Sequence, residues 1–224
     1  MRNYYSDGLA AERLKRVYEL APPRVRQYLD AEVEFVVSRI KSGASALDLG
    51  CGYGRVMPRL AAKAGLVIGV DKSLASVHLA SSLLSADPGC LLVNADALAL
   101  PFRDRAFDLV ACIQNGISAF HVDHADLLTE AIRVTRPGGK VLLSTYSEKF
   151  WDHRLAWFRL QADAGLVGEI DEAKTGDGVI VCRDGFTGTA IRPEALLTLT
   201  QGRNVDAHLV EVDQSSLFLQ VTPR

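Results

Sequence analysis

Neither sign of charge prevails in this chain: 25 Lys and Arg stand against 27 Asp and Glu over 224 residues, a formal net charge of −2. Without a basic surplus there is no electrostatic footprint for a nucleic acid and no polybasic clamp for an anionic membrane. Cysteine is sparse. Cys51, Cys90, Cys112 and Cys182 form no C-x-x-C pair, which excludes a zinc knuckle or dithiol redox motif and points to a reducing compartment. No apolar run approaches the roughly 20 residues that a membrane-spanning helix requires; the charge-free stretch Ser73 to Ala86 is too short and too rich in serine. The stretch Met1 to Leu20 lacks an apolar h-region and carries Asp7, Glu12 and Glu19, unlike a secretory signal or an acid-poor transit peptide, so a cytoplasmic location is expected. Internal repeats and Pro- or Gly-rich linkers are missing too. What is present is material for a core: 48% hydrophobic against 23% charged residues excludes whole-chain disorder and fits one larger α/β domain, or a core domain with an insertion.

The apolar periodicity alternates between helix and strand. Amphipathic stripes predict helices over Leu9–Leu20 and, after Pro22-Pro23, over Val25–Ile40. Strands are expected at Ala46–Leu49, Leu66–Val70, Cys90–Asn94, Phe107–Ile113 and Lys140–Thr145. The helices between them are Arg55–Ala64, Leu74–Leu84 capped by Ser73, and Ala125–Thr135 capped by Asp123, with Arg136-Pro137-Gly138-Gly139 as a turn. Strands separated by helices pair in parallel with right-handed crossovers. Near the C-terminus a helix over Pro193–Thr200 precedes Val205–Val212 and Leu217–Val221, whose short connection forces an antiparallel hairpin. The expected fold is therefore α/β: a doubly wound, mostly parallel, seven-stranded sheet with a C-terminal antiparallel hairpin. A helix-and-hairpin insertion follows the fifth strand, with Glu148–Leu166 helical and Val167–Ile170 pairing with Val179–Arg183 across Gly176-Asp177-Gly178. The chain divides into N-terminal helices (1–42), a core (43–146), the insertion (147–190) and the last helix and strands (191–224).

The strongest motif is DLGCGYGR, Asp48 to Arg55, where a buried strand hands over to a helix. Glycines at alternate positions let the backbone approach a ligand closely. A dinucleotide fingerprint wants G-x-G-x-x-G, but the sixth position from Gly50 is Arg55, and the spacing here is G-x-G-x-G. That leaves an NAD(P)-dependent oxidoreductase as the disfavoured alternative. With its acidic residue two before the first glycine, the motif resembles that of the class I S-adenosylmethionine-dependent methyltransferases. The similarity continues through Asp71 at the end of the second strand, NADALALPF, FDLVACIQNG, RVTRPGGKVLLS and the closing hairpin.

The resemblance implies S-adenosylmethionine as cofactor and S-adenosylhomocysteine as product. It implies a cofactor site built from Asp48, Gly50, Cys51, Gly52 and Gly54 of the loop, Asp71 and Lys72 at the ribose, Asp96 and Ala97 at the adenine, and Gln114 and Asn115 in the loop beside the methionine part. That last loop is not the N-P-P-Y or D-P-P-Y type of amino-methylating DNA enzymes and lacks the Pro-Cys pair of cytosine enzymes. It also lacks the double-Glu loop of protein arginine enzymes. A small-molecule acceptor is therefore expected, with no nucleic-acid or membrane partner; the oligomeric state and the choice among N-, O- and C-methylation are open. Asn115 is the single plausible oxygen ligand in the loop, so no metal is expected. A non-catalytic module binding the same cofactor is the other alternative.

No general base stands out. His121 lies near the expected pocket, and His124 should face solvent in the first turn of its helix. In the insertion, Phe150, Arg154, Trp157 and Gln161 share one helical face, and Trp151, Leu155, Phe158 and Ala162 the next. The second stripe reads as core. The first, with Tyr146 and His121, supplies the expected acceptor contacts, an aromatic surface with a guanidinium and an amide. Glu169, Asp171, Asp177 and Asp184 read as a solvated acidic loop, with attraction of a cationic amine as the alternative. Tyr4, Tyr5 and Tyr28 are placed to close a lid over bound cofactor, with packing of Tyr28 on the first helix as the alternative.

Overall fold

The computed structural model describes residues 8–224, so Tyr4 and Tyr5 lie outside the described residues. Two helices come first, α1 (Ala11–Glu19) and α2 (Pro23–Arg39), the latter opened by a proline whose missing N–H costs nothing at that position. Then follow β1 (Ser45–Leu49), α3 (Met57–Ala61), β2 (Leu66–Asp71), α4 (Leu74–Leu83), β3 (Cys90–Asn94) and β4 (Phe107–Cys112). A short helix α5 (Gly116–Ala119) leads into α6 (His124–Val134), β5 (Thr135–Tyr146), a 3₁₀ turn (Glu148–Phe150) and α7 (Trp151–Asp163). The small strands β6 (Val179–Val181) and β7 (Thr187–Thr189), α8 (Pro193–Thr198), β8 (Val205–Val212) and β9 (Ser216–Pro223) complete the chain.

The seven strands of the main sheet run in the order β3-β2-β1-β4-β5-β9-β8. β1 pairs in parallel with both β2 and β4, β2 with β3, and β4 with β5, whereas β9 runs antiparallel to β5 and β8. The order reverses between β1 and β4, which opens a crevice at their carboxyl ends. Both caps expected from sequence form: the Ser73 hydroxyl accepts from Ser76 N, and Asp123 accepts from Ala125 N and Asp126 N. Among the described residues, no helix is long and apolar enough to cross a membrane.

Four local expectations need correction. The helix after the glycine loop is only Met57–Ala61, because Gly52 and Gly54 hold positive φ of 54° and 80° and keep the chain turning until Val56. Arg136-Pro137-Gly138-Gly139 is no free turn but a bulge within β5: Phe107 pairs with Thr135 and Leu109 with Lys140, leaving those residues as excess. The insertion's hairpin pairs Val179–Val181 with Thr187–Thr189, not with Val167–Ile170. Gly176 and Val179 instead exchange both backbone hydrogen bonds in a tight turn, and Asp184 accepts from Phe186 N to turn the chain so that Phe186 is buried. Ile170 keeps one bridge, to Cys182. Finally, the stripes of α7 are not divided as expected: of the second only Phe158 is buried, and the first is buried throughout. Phe150, Arg154, Trp157 and Gln161 are all buried, while Trp151, Leu155 and Ala162 are half-exposed.

Packing explains that division. One face of the sheet carries α6, with Leu127, Leu128, Ala131 and Val134 in contact with β4 and β5; the other carries Val33 and Val36 of α2, Met57 and Leu60 of α3, and Ala80 of α4. A third cluster stands apart from both and joins α1, α2 and the insertion through Val17, Tyr28, Phe150, Trp157, Ile180 and Phe186. Each such large apolar side chain contributes on the order of 1.5–3 kcal/mol by leaving water. The N-terminal helices and the insertion thus form one cap, and the inward face of α7 can be polar because a cavity lies beneath Gln161 and carbonyls of the insertion meet Arg154.

Candidate functional site

At the carboxyl ends of β1 and β2 the glycine loop folds back over its neighbour. Gly50 N and Cys51 N both donate to Val70 O, at 2.8 and 3.0 Å, and Gly52 N donates to Asp71 Oδ2 at 2.8 Å. The first three amides of the loop are therefore used in fixing its shape. Gly50 has φ +84°, and a Cβ there would meet Phe120 Cζ at 2.8 Å; at Gly52 it would meet Leu14 Cδ2 at 2.9 Å. Alanine is strained at both positions by the positive φ, and the ends of the Phe120 and Leu14 side chains would have to shift to admit it. The buried Cys51 side chain packs beneath Gly69, while Gly54 faces Leu84 of α4.

Asp71 accepts from Gly52 N with one oxygen and from Ser73 N with the other, each at 2.8 Å, and burial raises its pKa against those two bonds. Beyond β3, Asp96 accepts from Lys72 Nζ at 2.6 Å and from Leu98 N at 3.0 Å, and the lysine's hydrogen bond holds its pKa low. Asp48 is almost fully buried; desolvation lifts its pKa to about 7, opposed by the Arg55 guanidinium, and its Oδ2 has no partner. Arg55 stacks on the Tyr18 ring at 4.5 Å with Nε and Nη2 buried and unpartnered. One cavity is lined by Asp48, Gly50, Cys51 and Gly52, by Asp71, Lys72, Asp96 and Ala97, and by Arg55, Gln114 and Asn115. Gly54 is the one loop residue expected at the cofactor that does not line it.

Gln114 and Asn115 have φ of 58° and 60°, a left-handed pair that non-glycine residues adopt only when their surroundings fix it. Gln114 N donates to Glu32 Oε2 at 2.6 Å. Asn115 donates through Nδ2 to Thr189 O at 3.0 Å and accepts from Thr145 Oγ1 at 2.9 Å, and Thr145 Oγ1 accepts in turn from Ile191 N. The Asn115 amide is thus a tie between crevice and insertion. Glu32 is fully buried on α2; desolvation lifts its pKa to about 7, against hydrogen bonds from Ser216, Gln114 and Ser144.

A carboxyl whose pKa rises from 4.5 to about 7 on folding binds more protons in the folded chain. The folded state is therefore favoured at low pH and loses stability as pH climbs through this window, by up to about 3 kcal/mol for this group. Asp48 adds a slope of the same sign. Glu32→Gln isolates the first contribution: relative to wild type the variant is expected to gain stability from pH 5 to pH 8, read by denaturant unfolding across that range. A difference independent of pH would rule out a protonated Glu32.

Of the residues expected at the acceptor, Tyr146, Trp157 and Gln161 line the same cavity, joined by Tyr18, Tyr28 and Phe158. Arg154 does not. Its side chain is buried, Nη1 donates to Gly178 O at 2.8 Å and Nη2 to Gly188 O at 2.7 Å, and the guanidinium lies 4.4 Å from the Tyr146 ring centre, behind the cavity wall. It braces the insertion, because its fork spans two carbonyls on the two arms of the small hairpin, Gly188 O and Gly178 O, the latter also accepting from Ala190 N. His121 is also corrected: it is exposed, at φ 52°, and not among the lining residues, because the α5 turn carries it outward. His124 is half-buried rather than facing solvent. Glu169 pairs with Arg183 and Asp171 with Lys174 on the surface. Arg55 and Glu32 escaped the sequence reading. An arginine directly after the glycine loop was a signal for the first; a lone acid on an apolar helical face was the signal for the second. Among the described residues, no group of three or more His, Cys, Asp or Glu is arranged to hold a metal ion.

Helix α1 lines the cavity through Leu14, Val17 and Tyr18. Ala11 N donates to Ser76 Oγ at 3.0 Å, Arg13 Nη2 to Leu166 O at 2.9 Å, and Trp157 Nε1 to Val17 O at 3.1 Å, so the helix is tied to the core on one side and to the insertion on the other.

Residues 46–139 match the family described as "Methyltransferase domain". The chain is 28% identical over 137 residues to the 2-methyl-6-phytyl-1,4-hydroquinone methyltransferase of Synechocystis sp., covering 57% of this chain and 42% of that protein. It is 37% identical over 128 residues to the malonyl-[acyl-carrier protein] O-methyltransferase of Erwinia billingiae, covering 55% and 48%. The matches thus span less than half the length of these relatives. Among solved structures, the PH0226 protein of Pyrococcus horikoshii OT3 superposes with TM-score 0.66 at 21% identity, over 92% of this chain and 93% of that one. The [4+2]-cyclase SpnF superposes with TM-score 0.65 at 17% identity, over 89% and 82%.

Proposed function

We propose that this chain, which belongs to the class I S-adenosylmethionine-dependent methyltransferase family, transfers a methyl group to a small-molecule acceptor. The observation that carries the reading is a pair of opposite charges lining the cavity whose buried atoms Asp48 Oδ2 and Arg55 Nε and Nη2 have no hydrogen-bond partner. They suit the ammonium and the carboxylate of the cofactor's amino-acid end, which is a zwitterion. Asp71 keeps lone pairs free for the two ribose hydroxyls, and Asp96 stands where the adenine amino group is expected.

When bound, S-adenosylmethionine would supply an already activated methyl group, held by Asp48 and Arg55 at its amino-acid end and by Asp71 and Asp96 at its nucleoside end. The chain's part is to orient the two reactants and exclude water. Helix α1 serves as the lid, since Leu14 packs on Gly52 and Tyr18 on Arg55. The insertion serves as the acceptor-binding cap, through Tyr146, Trp157 and Gln161. Methyltransferases among the relatives act on a hydroquinone and on a malonyl group, as their names state, and the near-neutral surface supports a small acceptor over a nucleic acid.

Calorimetry with S-adenosylmethionine, S-adenosylhomocysteine and NADH tests the reading, followed by S-adenosylhomocysteine release over a panel of phenols, quinols, amines and carboxylates. Micromolar binding of the first two, none of NADH, and turnover with a panel member are expected. Tight NADH binding with no response to the methyl donor would overturn the reading, and donor binding without turnover across the panel would make the chain a binding module.

A further inference from the structure

Two residues where the cofactor crevice meets the cap hold a backbone that their side chains disfavour. Gln114 and Asn115 have φ of 58° and 60°, and such a pair relaxes unless its surroundings fix it. Asn115 is fixed through its own amide, by Thr145 Oγ1 and Thr189 O. Gln114 is fixed through its main chain, whose N–H donates to Glu32 Oε2 at 2.6 Å. Its side chain stays available: Gln114 lines the cavity, and its Nε2 is buried with no hydrogen-bond partner.

A fully buried carboxyl is costly to keep, and Glu32 stands at a seam. Along α2, Tyr28 and Leu29 belong to the cap cluster, whereas Val33 and Val36 pack on the sheet. Ser144 of β5 and Ser216 of β9 favour its charged form, as Gln114 N does, and Arg55 is the cation that acts on it. Its charge also reaches the hydroxyls of Tyr18, Tyr28 and Tyr146. Glu32 itself is not among the lining residues, so any effect on a ligand passes through what it holds. Without it Gln114 N loses its acceptor, the left-handed turn is free to unwind, and the Gln114 amide leaves the cavity with it.

We infer that Glu32 is a positioning residue for the cofactor: from the cap helix it locks Gln114 in the left-handed conformation that presents the Gln114 amide to bound S-adenosylmethionine, so that cap and crevice are set as one. The inference rests on the methyl-transfer reading above. Calorimetric titration with S-adenosylhomocysteine at pH 7 tests it in wild type, Glu32→Met, Glu32→Asp and Glu32→Gln, with the melting temperature of each recorded. Glu32→Met keeps the length of the side chain without a strong acceptor, and Glu32→Asp keeps the charge but falls one methylene short of Gln114 N; each is expected to bind about 10-fold more weakly than wild type. Glu32→Gln keeps an acceptor oxygen in place and should bind within about threefold of wild type. Glycine holds a positive φ unaided. In a Gln114→Gly background, already weakened by loss of the amide, Glu32→Met should therefore cost about twofold or less. Hydrogen exchange over residues 113–119 of the ligand-free protein should quicken in Glu32→Met and Glu32→Asp and not in Glu32→Gln. Affinity unmoved in both Glu32→Met and Glu32→Asp, whatever their melting temperatures, would overturn the inference and leave Glu32 a purely structural group. So would a Glu32→Gln variant as weak as Glu32→Met, or full additivity of Glu32→Met with Gln114→Gly. If Glu32→Met does not fold, Glu32→Asp against Glu32→Gln decides the matter. Failure of the methyl-transfer reading is distinct, since it would show as a wild-type protein that does not bind S-adenosylhomocysteine.

Discussion

Asp71→Ala is expected to weaken S-adenosylmethionine binding by about 30- to 150-fold, the loss of charge-assisted hydrogen bonds worth roughly 2–3 kcal/mol. Two effects combine. The ribose loses its acceptor, and Gly52 N and Ser73 N lose theirs, so the glycine loop is no longer pinned to the end of β2. Asp71→Asn separates them: the amide still offers one oxygen but must turn an NH₂ toward a backbone N–H or a hydroxyl, so most of the loss should remain. Calorimetric titration with the donor is the measurement, and an affinity within about twofold of wild type would refute the assignment.

Arg154→Ala is expected to be the most destabilising single change in the cap. It takes the side-chain donor from Gly188 O, leaves Gly178 O with only the Ala190 N bond, removes the cation from the Tyr146 face and empties the volume of a fully buried side chain. The sum is on the order of 3–5 kcal/mol, which for a chain of this size lowers the melting temperature by roughly 10 °C. Arg154→Lys should recover only part of this, because an ammonium cannot reproduce the fork that spans two carbonyls. Melting by calorimetry, with S-adenosylhomocysteine binding measured alongside, checks it; a variant that melts with wild type and loses only acceptor affinity would return Arg154 to the acceptor.

The parallel sheet was legible because each strand is an apolar run bounded by a recognisable cap or turn, as at Ser73 and Asp123, and such local signals survive folding. The closing hairpin was legible because only Asp213 to Ser216 separate its arms. Non-local choices were not legible. Which stripe of α7 faces inward depended on distant segments: Gln161 lines the cavity, whereas Arg154 is buried against Gly178 O and Gly188 O of the insertion, partners that the helical pattern does not reveal. The small hairpin was misregistered because Gly176-Asp177-Gly178 does form a turn, but one that closes on itself, and the position of Phe186 decided the true partner. Glu32 shows the same limit: its meaning depends on Gln114 N, 82 residues away.

The tie between Asn115, Thr145, Thr189 and Ile191 has a consequence for how such a protein diversifies. On the core side the bonds come from side chains, Asn115 and Thr145; opposite them stand main-chain atoms, Thr189 O at the end of the insertion and Ile191 N just after it. The joint therefore reads the path of the incoming segment and not its residue types. Cap sequences that share this path are interchangeable at the joint, so a new cap can be exchanged like a tool head on a fixed shank while the donor crevice beneath it stays in register.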